Sequence, residues 1–123
     1  MENPGEVCLK LREKLLNEHL CIYILEDIFG GLTKQFEKYI YDKIAQGHKK
    51  VLINLSDIKG IDNTAIGSII HFWKTLSLKN GSLCIISNET IMEKFRNINL
   101  HKIIPFFDSE VEFFDSELNF AST

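Results

Sequence analysis

The chain lacks an excess of basic charge and any long apolar segment. Its 123 residues carry a formal net charge of -3, which gives no general attraction for nucleic acids or anionic membranes. No apolar run approaches the roughly 20 residues needed to cross a bilayer, and residues 1–7 lack the basic start and apolar stretch of a signal peptide. We therefore expect a cytoplasmic protein that binds no nucleic acid and does not insert into a membrane.

Cysteines and histidines are also few. The three cysteines are odd in number and each lies in an apolar, strand-like context, which is typical of reduced core thiols: Cys8, Cys21 and Cys84. The four histidines show no metal-ligand spacing with one another or with cysteine: His19, His48, His71 and His101. The motifs of dinucleotide-binding, phosphate-loop and serine-hydrolase sites are absent too. We expect no metal, no cofactor and no catalysis.

What is present is the composition of an ordinary globular domain. Apolar residues make up 45% of the chain and charged residues 25%, and the length suits one hydrophobic core but not two. We expect a single domain over residues 1–123, with flexible ends at 1–5 and 119–123.

The first half of the chain predicts a strand pair followed by a helix. Residues 7–13 alternate in polarity and residues 20–25 are apolar and rich in strand formers, which predicts a hairpin that turns near Asn17. An apolar residue at every fourth position then predicts an amphipathic helix that ends at Gly47. These apolar positions are Leu32, Phe36, Ile40 and Ile44.

Strands and helices continue to alternate afterwards. Residues 51–55 predict a buried strand, and the following helix ends at the pair Asn80-Gly81. Its apolar stripe comprises Ile66, Ile69, Ile70, Trp73 and Leu76. Residues 83–86 predict another strand. Ser87 or Asn88 suits the cap of a third helix, whose apolar residues are Ile91, Phe95 and Ile98.

The end of the chain predicts one more strand and one more helix. Residues 103–107 form the strand, which Pro105 restricts to a sheet edge. Ser109 and Glu112 have the capping-box spacing. The helix that they begin would turn one face to the core, formed by Val111, Phe114 and Leu118. This order predicts an α/β fold with a mixed four- to five-stranded sheet and about four helices.

One corner of the predicted fold is polar. Asp62, Asn63 and Thr64 lie where the third strand leads into the second helix, so Asp62 or Asn63 can cap that helix. At 100° per residue, the side opposite the apolar stripe carries Thr64, Gly67, Ser68, His71 and Thr75. The strip either docks a partner or is simply solvated, and from these residues alone the solvated strip is the default.

The sequence of this corner, DNTAIG after VLINLSDIKGI, resembles the signature of STAS domains, the family of bacterial anti-sigma-factor antagonists and sulfate-transporter tails. The family pattern is Asp-Ser-(Ser/Thr)-Gly-aliphatic-Gly/Ala. Asn63 stands at the position of the phosphorylated serine, and Ala65 replaces a glycine. The matching residues are Asp62, Thr64, Ile66 and Gly67. Residues 87–104 are similar to the family's third helix and last strand, so the resemblance spans residues 7–118.

The resemblance implies a STAS-like fold and a regulatory role. In that role the unphosphorylated domain binds an anti-sigma factor that is a serine kinase of the GHKL ATPase type, and phosphorylation of the serine ends the binding. A phosphoserine carries about -1.5 to -2 charges and would stand beside Asp62. Asn63 cannot accept a phosphoryl group. Gly30, next to Phe29, stands where the family often has an aspartate facing the serine.

We therefore expect a domain that keeps the binding surface and has lost or relocated the switch. Thr64 and Ser68 are the remaining candidate phosphoacceptors. The small residues Ala65 and Gly67 would let a partner backbone approach, and Asp62 with Asn63 would supply hydrogen bonds at the rim. The predicted contact residues are Asp62, Asn63, Thr64, Ala65, Gly67, Ser68, His71 and Thr75. Phe72 and Phe29 are each read as core or edge aromatics, with a partner contact as the alternative.

Two alternatives stay open. STAS-like domains also serve as subunits of lipid-transport ATPases and of stress-signalling assemblies, and the missing serine fits that role equally well. A phosphoacceptor receiver domain is suggested by the acidic pair Glu26-Asp27 after one strand and by Asp57 after another. However, residues 27–57 leave room for only one helix and one strand, whereas a receiver places two helices and an extra strand between those acids.

Overall fold

A five-stranded mixed sheet forms the centre of the protein in a computed structural model that describes residues 8–121, with side chains as far as residue 117. The strands are β1 (Leu11–Leu16), β2 (His19–Ile24), β3 (Lys50–Asn54), β4 (Ser82–Ile86) and β5 (Phe106–Phe107). They lie side by side in sequence order. β1 and β2 form an antiparallel hairpin, and β2 to β5 run parallel. The predicted mixed sheet is confirmed.

Four helices connect or cover the strands: α1 (Gly31–Ala45), α2 (Asn63–Leu78), α3 (Glu89–Asn97) and α4 (Glu110–Ala121). Because the strand order advances in one direction and such crossovers are right-handed, α1, α2 and α3 lie on the same face of the sheet. None of the helices within residues 8–121 is long and apolar enough to span a membrane.

The main core lies between these three helices and the sheet. Each helix contributes a buried phenylalanine, namely Phe36, Phe72 and Phe95. They pack in one cluster with alternate residues of β2, β3 and β4, namely Ile22, Ile53 and Ile85. Phe72 is thus a core residue. Deep burial of such side chains supplies most of the stabilisation of the fold.

A smaller core lies on the opposite face, under α4. It contains Phe113 with the other alternate residues of the central strands, Cys21, Leu52 and Ile86. The prediction that Val111 faces the core is wrong, because its side chain is 70% exposed while Phe113 is buried. Leu118 lies outside the described side chains.

The predicted hairpin and helix boundaries need small corrections. The turn lies at Asn17 and Glu18, both with positive φ (50° and 69°), as the tight two-residue hairpin turns require. β1 therefore extends to Leu16 rather than ending at residue 13. Of the residues expected to be flexible, 1–5 and 122–123 lie outside the described part, and the helical backbone of α4 reaches Ala121.

The last strand is shorter than the predicted 103–107. Residues Leu100–Lys102 form a short 3-10 helix, and burial of Leu100 and Ile104 anchors this segment to the core. Only Phe106 and Phe107 pair with β4. β5 does lie at the sheet edge, directly after Pro105.

The strand order rules out the receiver alternative. A receiver has an all-parallel sheet of order 2-1-3-4-5, whereas this sheet runs 1-2-3-4-5 and begins with an antiparallel hairpin. The acidic residues also lack the arrangement of a receiver site. The Asp27 carboxylate accepts a hydrogen bond from the Lys59 N–H at 2.8 Å, and Asp57 is exposed.

The cysteines are all free thiols. Cys21 is buried and Cys84 half-buried on the α4 face, as expected for core residues. Burial, together with the charge of Glu117, raises the pKa of the Cys84 thiol to about 11, so this thiol stays protonated and unreactive at neutral pH. Cys8 is exposed, and the expectation of a core position is wrong for this residue.

Candidate functional site

The polar corner is built around the carboxylate of Asp62, which caps α2. Its Oδ1 atom accepts a hydrogen bond from the Ala65 N–H at 2.8 Å. The Gly30 N–H donates to Oδ2 at 3.0 Å. The Thr33 hydroxyl lies 2.9–3.0 Å from both carboxylate oxygens. One side chain therefore joins the first turns of α1 and α2.

These bonds also decide the charge of Asp62. Burial raises its pKa, but the hydrogen bonds from the Ala65 N–H, the Thr33 hydroxyl and the Gly30 N–H outweigh burial and hold the pKa below its ordinary value of 3.8. The side chain is therefore ionised at neutral pH. Its oxygens bind three groups of its own chain, so Asp62 first serves to hold the corner, and its contact with a partner stays a prediction.

The loop that leads into the corner is held from two sides. Ile28 and Ile61 form an isolated parallel bridge, and the Asp62 N–H donates to the Ile28 carbonyl at 2.9 Å. From the α3 side, the Lys94 Nζ atom donates to the Ile61 carbonyl at 3.2 Å. Asn88, the cap of α3, donates to the Ile58 carbonyl at 2.6 Å. Hydrogen bonds from both sides therefore fix the backbone of the corner.

Gly30 lies at the corner, because its N–H is bonded to Asp62. Its neighbour Phe29 is 50% exposed. The Phe29 ring covers Gly60 so closely that a Cβ atom there would come within 2.4 Å of the ring. Phe29 is therefore an edge aromatic that lies on the loop before α2.

Exposure divides the predicted contact residues into two groups. Asn63, Thr64 and His71 are exposed, and Gly67 and Thr75 are partly exposed. Ala65 and Ser68 are only 0% and 5% exposed, so the prediction that Ser68 lies on the open strip is wrong, and Ala65, predicted as a small contact residue, offers no surface to a partner. α1 packs against this side of α2 and covers them, a contact that the helical periodicity of α2 alone does not reveal.

Ser68 is not free to react in this structure. Its hydroxyl lies 2.7 Å from Glu37 Oε2 and 3.1 Å from the Thr64 carbonyl. A kinase would have to displace α1 in order to reach it. Of the two candidate phosphoacceptors, only Thr64 lies at the surface.

A cavity opens on the α3 side of the corner. It has a volume of about 460 Å³ and is lined by Asn63, Ile66, Lys94, Asn97 and Ile98. Ile98, one of the apolar residues predicted for the third helix, is 51% exposed. It falls at the C-cap of this helix, where the helical periodicity ends. The cavity therefore combines apolar walls with two amides and an ammonium group.

A second, smaller groove opens on the α1 side. Its volume is about 270 Å³, and it is lined by Glu37, Tyr41, Thr64, Gly67, Ser68 and His71. The start of α2 thus stands between two depressions, one with a lysine and one with a glutamate. Among the described residues, no group of three or more His, Cys, Asp or Glu side chains is placed to hold a metal ion.

Comparison with known proteins agrees with this architecture. A curated relative from Thermotoga neapolitana, named "Putative anti-sigma factor antagonist TM1081 homolog", is 30% identical over 76 residues, which are 60% of this chain and 67% of the relative. A crystal structure of an anti-sigma factor antagonist of the same description from Thermotoga maritima superposes with a TM-score of 0.81 at 22% identity, covering 86% of this chain and 92% of the other.

The unphosphorylated form of the anti-sigma factor antagonist SpoIIAA superposes with a TM-score of 0.71 at 14% identity, over 89% of this chain and 98% of the other. At such identities the two structural likenesses establish the fold alone. The sequence model of the STAS domain matches residues 11–113, which include every strand and the start of α4. The chain therefore belongs to the STAS domain family.

Proposed function

We propose that this domain is a non-catalytic regulator that acts as an anti-sigma factor antagonist. It binds an anti-sigma factor of the GHKL kinase type through the exposed start of α2. The contact residues are Asn63, Thr64, Gly67, His71 and Thr75. The hydrogen bonds of Asp62 fix the helix start that carries them. The binding is not switched off at the position where the family carries its phosphoserine, because that position is Asn63.

The observation that carries this proposal is the exposure of Asn63 and Thr64 on a braced helix start. Both side chains are exposed, while Asp62, which precedes them, is bonded to Ala65, Thr33 and Gly30. A surface that is already ordered loses little conformational entropy when it binds. The likeness to three proteins named as anti-sigma factor antagonists, the Thermotoga neapolitana relative and the two solved structures, supports an anti-sigma factor as the partner.

The cavity beside Asn63 supports docking at this place. Ile66 and Ile98 offer apolar surface, while Asn63, Lys94 and Asn97 offer hydrogen-bond donors. Apolar surface with a few polar groups is the usual composition of a binding cleft. The half-exposed Ile98 would be removed from water by a partner that covers both α2 and α3.

Asn63 also has a simple electrostatic consequence. A phosphoserine there would place about -1.5 to -2 charges beside the ionised Asp62, whereas the amide is neutral. Position 63 therefore stays in the state that corresponds to an unphosphorylated relative, and Thr64 is the exposed candidate phosphoacceptor that remains at this corner. The same residue suits a second role, as a subunit of a transport ATPase or of a stress-signalling assembly, in which docking needs no phosphorylation.

The test is capture of partners by the whole chain, with the mass of the intact protein measured in parallel. We expect capture of a kinase-type anti-sigma factor and no phosphoryl mass increment on the intact chain, in which Thr64 is the exposed candidate phosphoacceptor. Capture of transporter subunits instead would establish the second role. Asn63→Asp should weaken the binding about tenfold or more, since like or unpaired charges at an interface cost several kcal/mol. Asn63→Ser should bind normally and become sensitive to the kinase.

Loss of folded protein would not explain weaker binding by Asn63→Asp. An aspartate in the first turn of α2 interacts favourably with the helix dipole, by about 0.3–1 kcal/mol, so Asn63→Asp should be at least as stable as the parent. Ser77→Asp, which adds the same charge at the exposed far end of α2, is the matched control and should bind normally. Equal affinity of the parent, Asn63→Asp and Asn63→Ser would contradict docking at this corner.

A further inference from the structure

We propose that the groove between α1 and α2 receives a basic side chain, arginine or lysine, of the protein that docks on the start of α2. The inference rests on the proposed function for the identity of the docking face, and it adds the chemistry of one contact. The groove begins at Thr64 and Gly67, directly beside the corner, and it ends at Glu37 on α1.

The first step of the argument is the state of Glu37. Its carboxylate is half-buried, and the hydroxyl of the buried Ser68 lies 2.7 Å from Oε2, which orients the group. Within the part of the chain that the structure describes, no lysine, arginine or histidine lies within ion-pair distance of Glu37. A half-buried, oriented carboxylate without a cation attracts one from outside.

The second step concerns the walls of the groove. The Tyr41 ring lines one side, and it is held by edge contact with Phe72 at a centroid distance of 5.0 Å. Burial, followed by the charge of Glu37, raises the pKa of Tyr41, so the ring remains a neutral phenol. Guanidinium and ammonium groups bind well against aromatic faces. A carboxylate beside such a ring is therefore suited to a cationic side chain.

The third step is access. A Cβ atom on Gly67 would meet nothing within 4 Å, so a partner chain can pass over this residue and place a long side chain in the groove. Thr64 and His71 are exposed at the rim and can donate or accept further hydrogen bonds. On the other flank of α2, Lys94 lines the larger cavity. The two flanks therefore carry opposite charges, which fixes the direction in which a partner docks.

A metal ion is a poorer occupant than a basic side chain. The groove offers one carboxylate and one imidazole, fewer protein ligands than zinc sites provide. Ser68 also uses one carboxylate oxygen. An arginine needs only a carboxylate, a hydrogen-bond acceptor and an aromatic wall, and all three are present.

The experiment is an NMR titration of the whole chain with N-acetyl-arginine amide, with the neutral isostere N-acetyl-citrulline amide as the control ligand. We expect weak, millimolar binding of the arginine derivative, with shifts of the Gly67 and His71 amide signals, and no saturable binding of the citrulline derivative. Glu37→Gln should lose about tenfold in affinity, which corresponds to the loss of one charge-assisted hydrogen bond. The exposed Glu93→Gln is the matched control and should bind as the parent does.

Glu37→Gln keeps an acceptor for the Ser68 hydroxyl, so its thermal unfolding should match that of the parent. Equal binding of arginine and citrulline derivatives, or parental affinity in Glu37→Gln, would overturn the proposal. The titration contains no partner protein, so its failure is distinct from that of the proposed function. If it succeeds while Asn63→Asp captures partners normally, the groove binds cationic side chains, but docking at the start of α2 and the assignment of the groove to that partner are both contradicted.

Discussion

The carboxylate of Asp62 gives the sharpest test of how this corner is built. Replacing it by alanine removes the cap of α2, which costs about 1 kcal/mol. It also leaves the hydroxyl of Thr33, which is buried, without its acceptor, at a further cost of about 1–3 kcal/mol. We expect Asp62→Ala to lower the free energy of unfolding by about 3 kcal/mol, and the melting temperature by about 10 °C for a chain of this size.

The pH dependence of this loss follows from the lowered pKa of Asp62. The unfolded chain takes up a proton on this group at a higher pH than the folded protein does. The stabilisation is therefore fully present above the ordinary pKa of 3.8 and is lost as the pH falls through the lower folded value. The difference between the parent and Asp62→Ala should be constant from pH 7 to pH 5 and should shrink below pH 3.8.

The assay is urea unfolding of the parent, Asp62→Ala and Asp62→Asn over this pH range, with Asp57→Ala as the control. Asp57 is an exposed aspartate of the same loop and should change stability by less than about 0.5 kcal/mol. Asp62→Asn should be intermediate, because one amide oxygen replaces two carboxylate oxygens, and its loss relative to the parent should also shrink below pH 3.8, since only the parent carries the titrating carboxylate. An Asp62→Ala variant as stable as Asp57→Ala would refute the assignment of Asp62 as the brace of the corner.

Two further substitutions test the packing that positions the site. Gly81→Ala should destabilise the protein by about 2 kcal/mol or more, because the new Cβ atom would lie 2.3 Å from the backbone carbonyl oxygen of Lys49; an unchanged urea midpoint would show that this approach is not required. Phe113→Ala should cost about 3–5 kcal/mol through loss of the small core under α4, whereas Val111→Ala at the exposed neighbouring position should change the melting temperature little.

The elements that follow from local pattern were predicted well. The apolar spacing of Ile66, Ile69 and Leu76 reports the buried side of α2 directly, because all three are core residues. Residue type and position offer two cap candidates for each helix, Asp62 or Asn63 and Ser87 or Asn88, and the structure assigns the caps to Asp62 and Asn88, which accept the expected backbone hydrogen bonds. These features depend on neighbours in sequence, which is the information that periodicity carries.

The features that depend on distant neighbours were missed. Ser68 lies on the polar side of α2 by periodicity, but α1 packs over it and Glu37 binds its hydroxyl. Phe113 rather than Val111 turns inward because Phe113 packs against the side chains of the central strands on the α4 face of the sheet. The predicted end of α2 at Asn80-Gly81 is confirmed, because the N–H groups of both residues bond carbonyls of the last helical turn, with Asn80 taking the positive φ of 61°. Gly81 has no side chain, and this allows the Lys49 backbone to lie against it.

The order of the sheet, in which every strand lies next to the strand that precedes it in the chain, bears on how the protein is made. No later strand has to insert between two earlier ones. A chain emerging from the ribosome can therefore add the strands to the sheet in order. The β1–β2 hairpin is the most local of these pairings, and local pairing favours rapid folding. Asp62 can engage the start of α1 as soon as its own segment emerges, before α3 and α4 emerge.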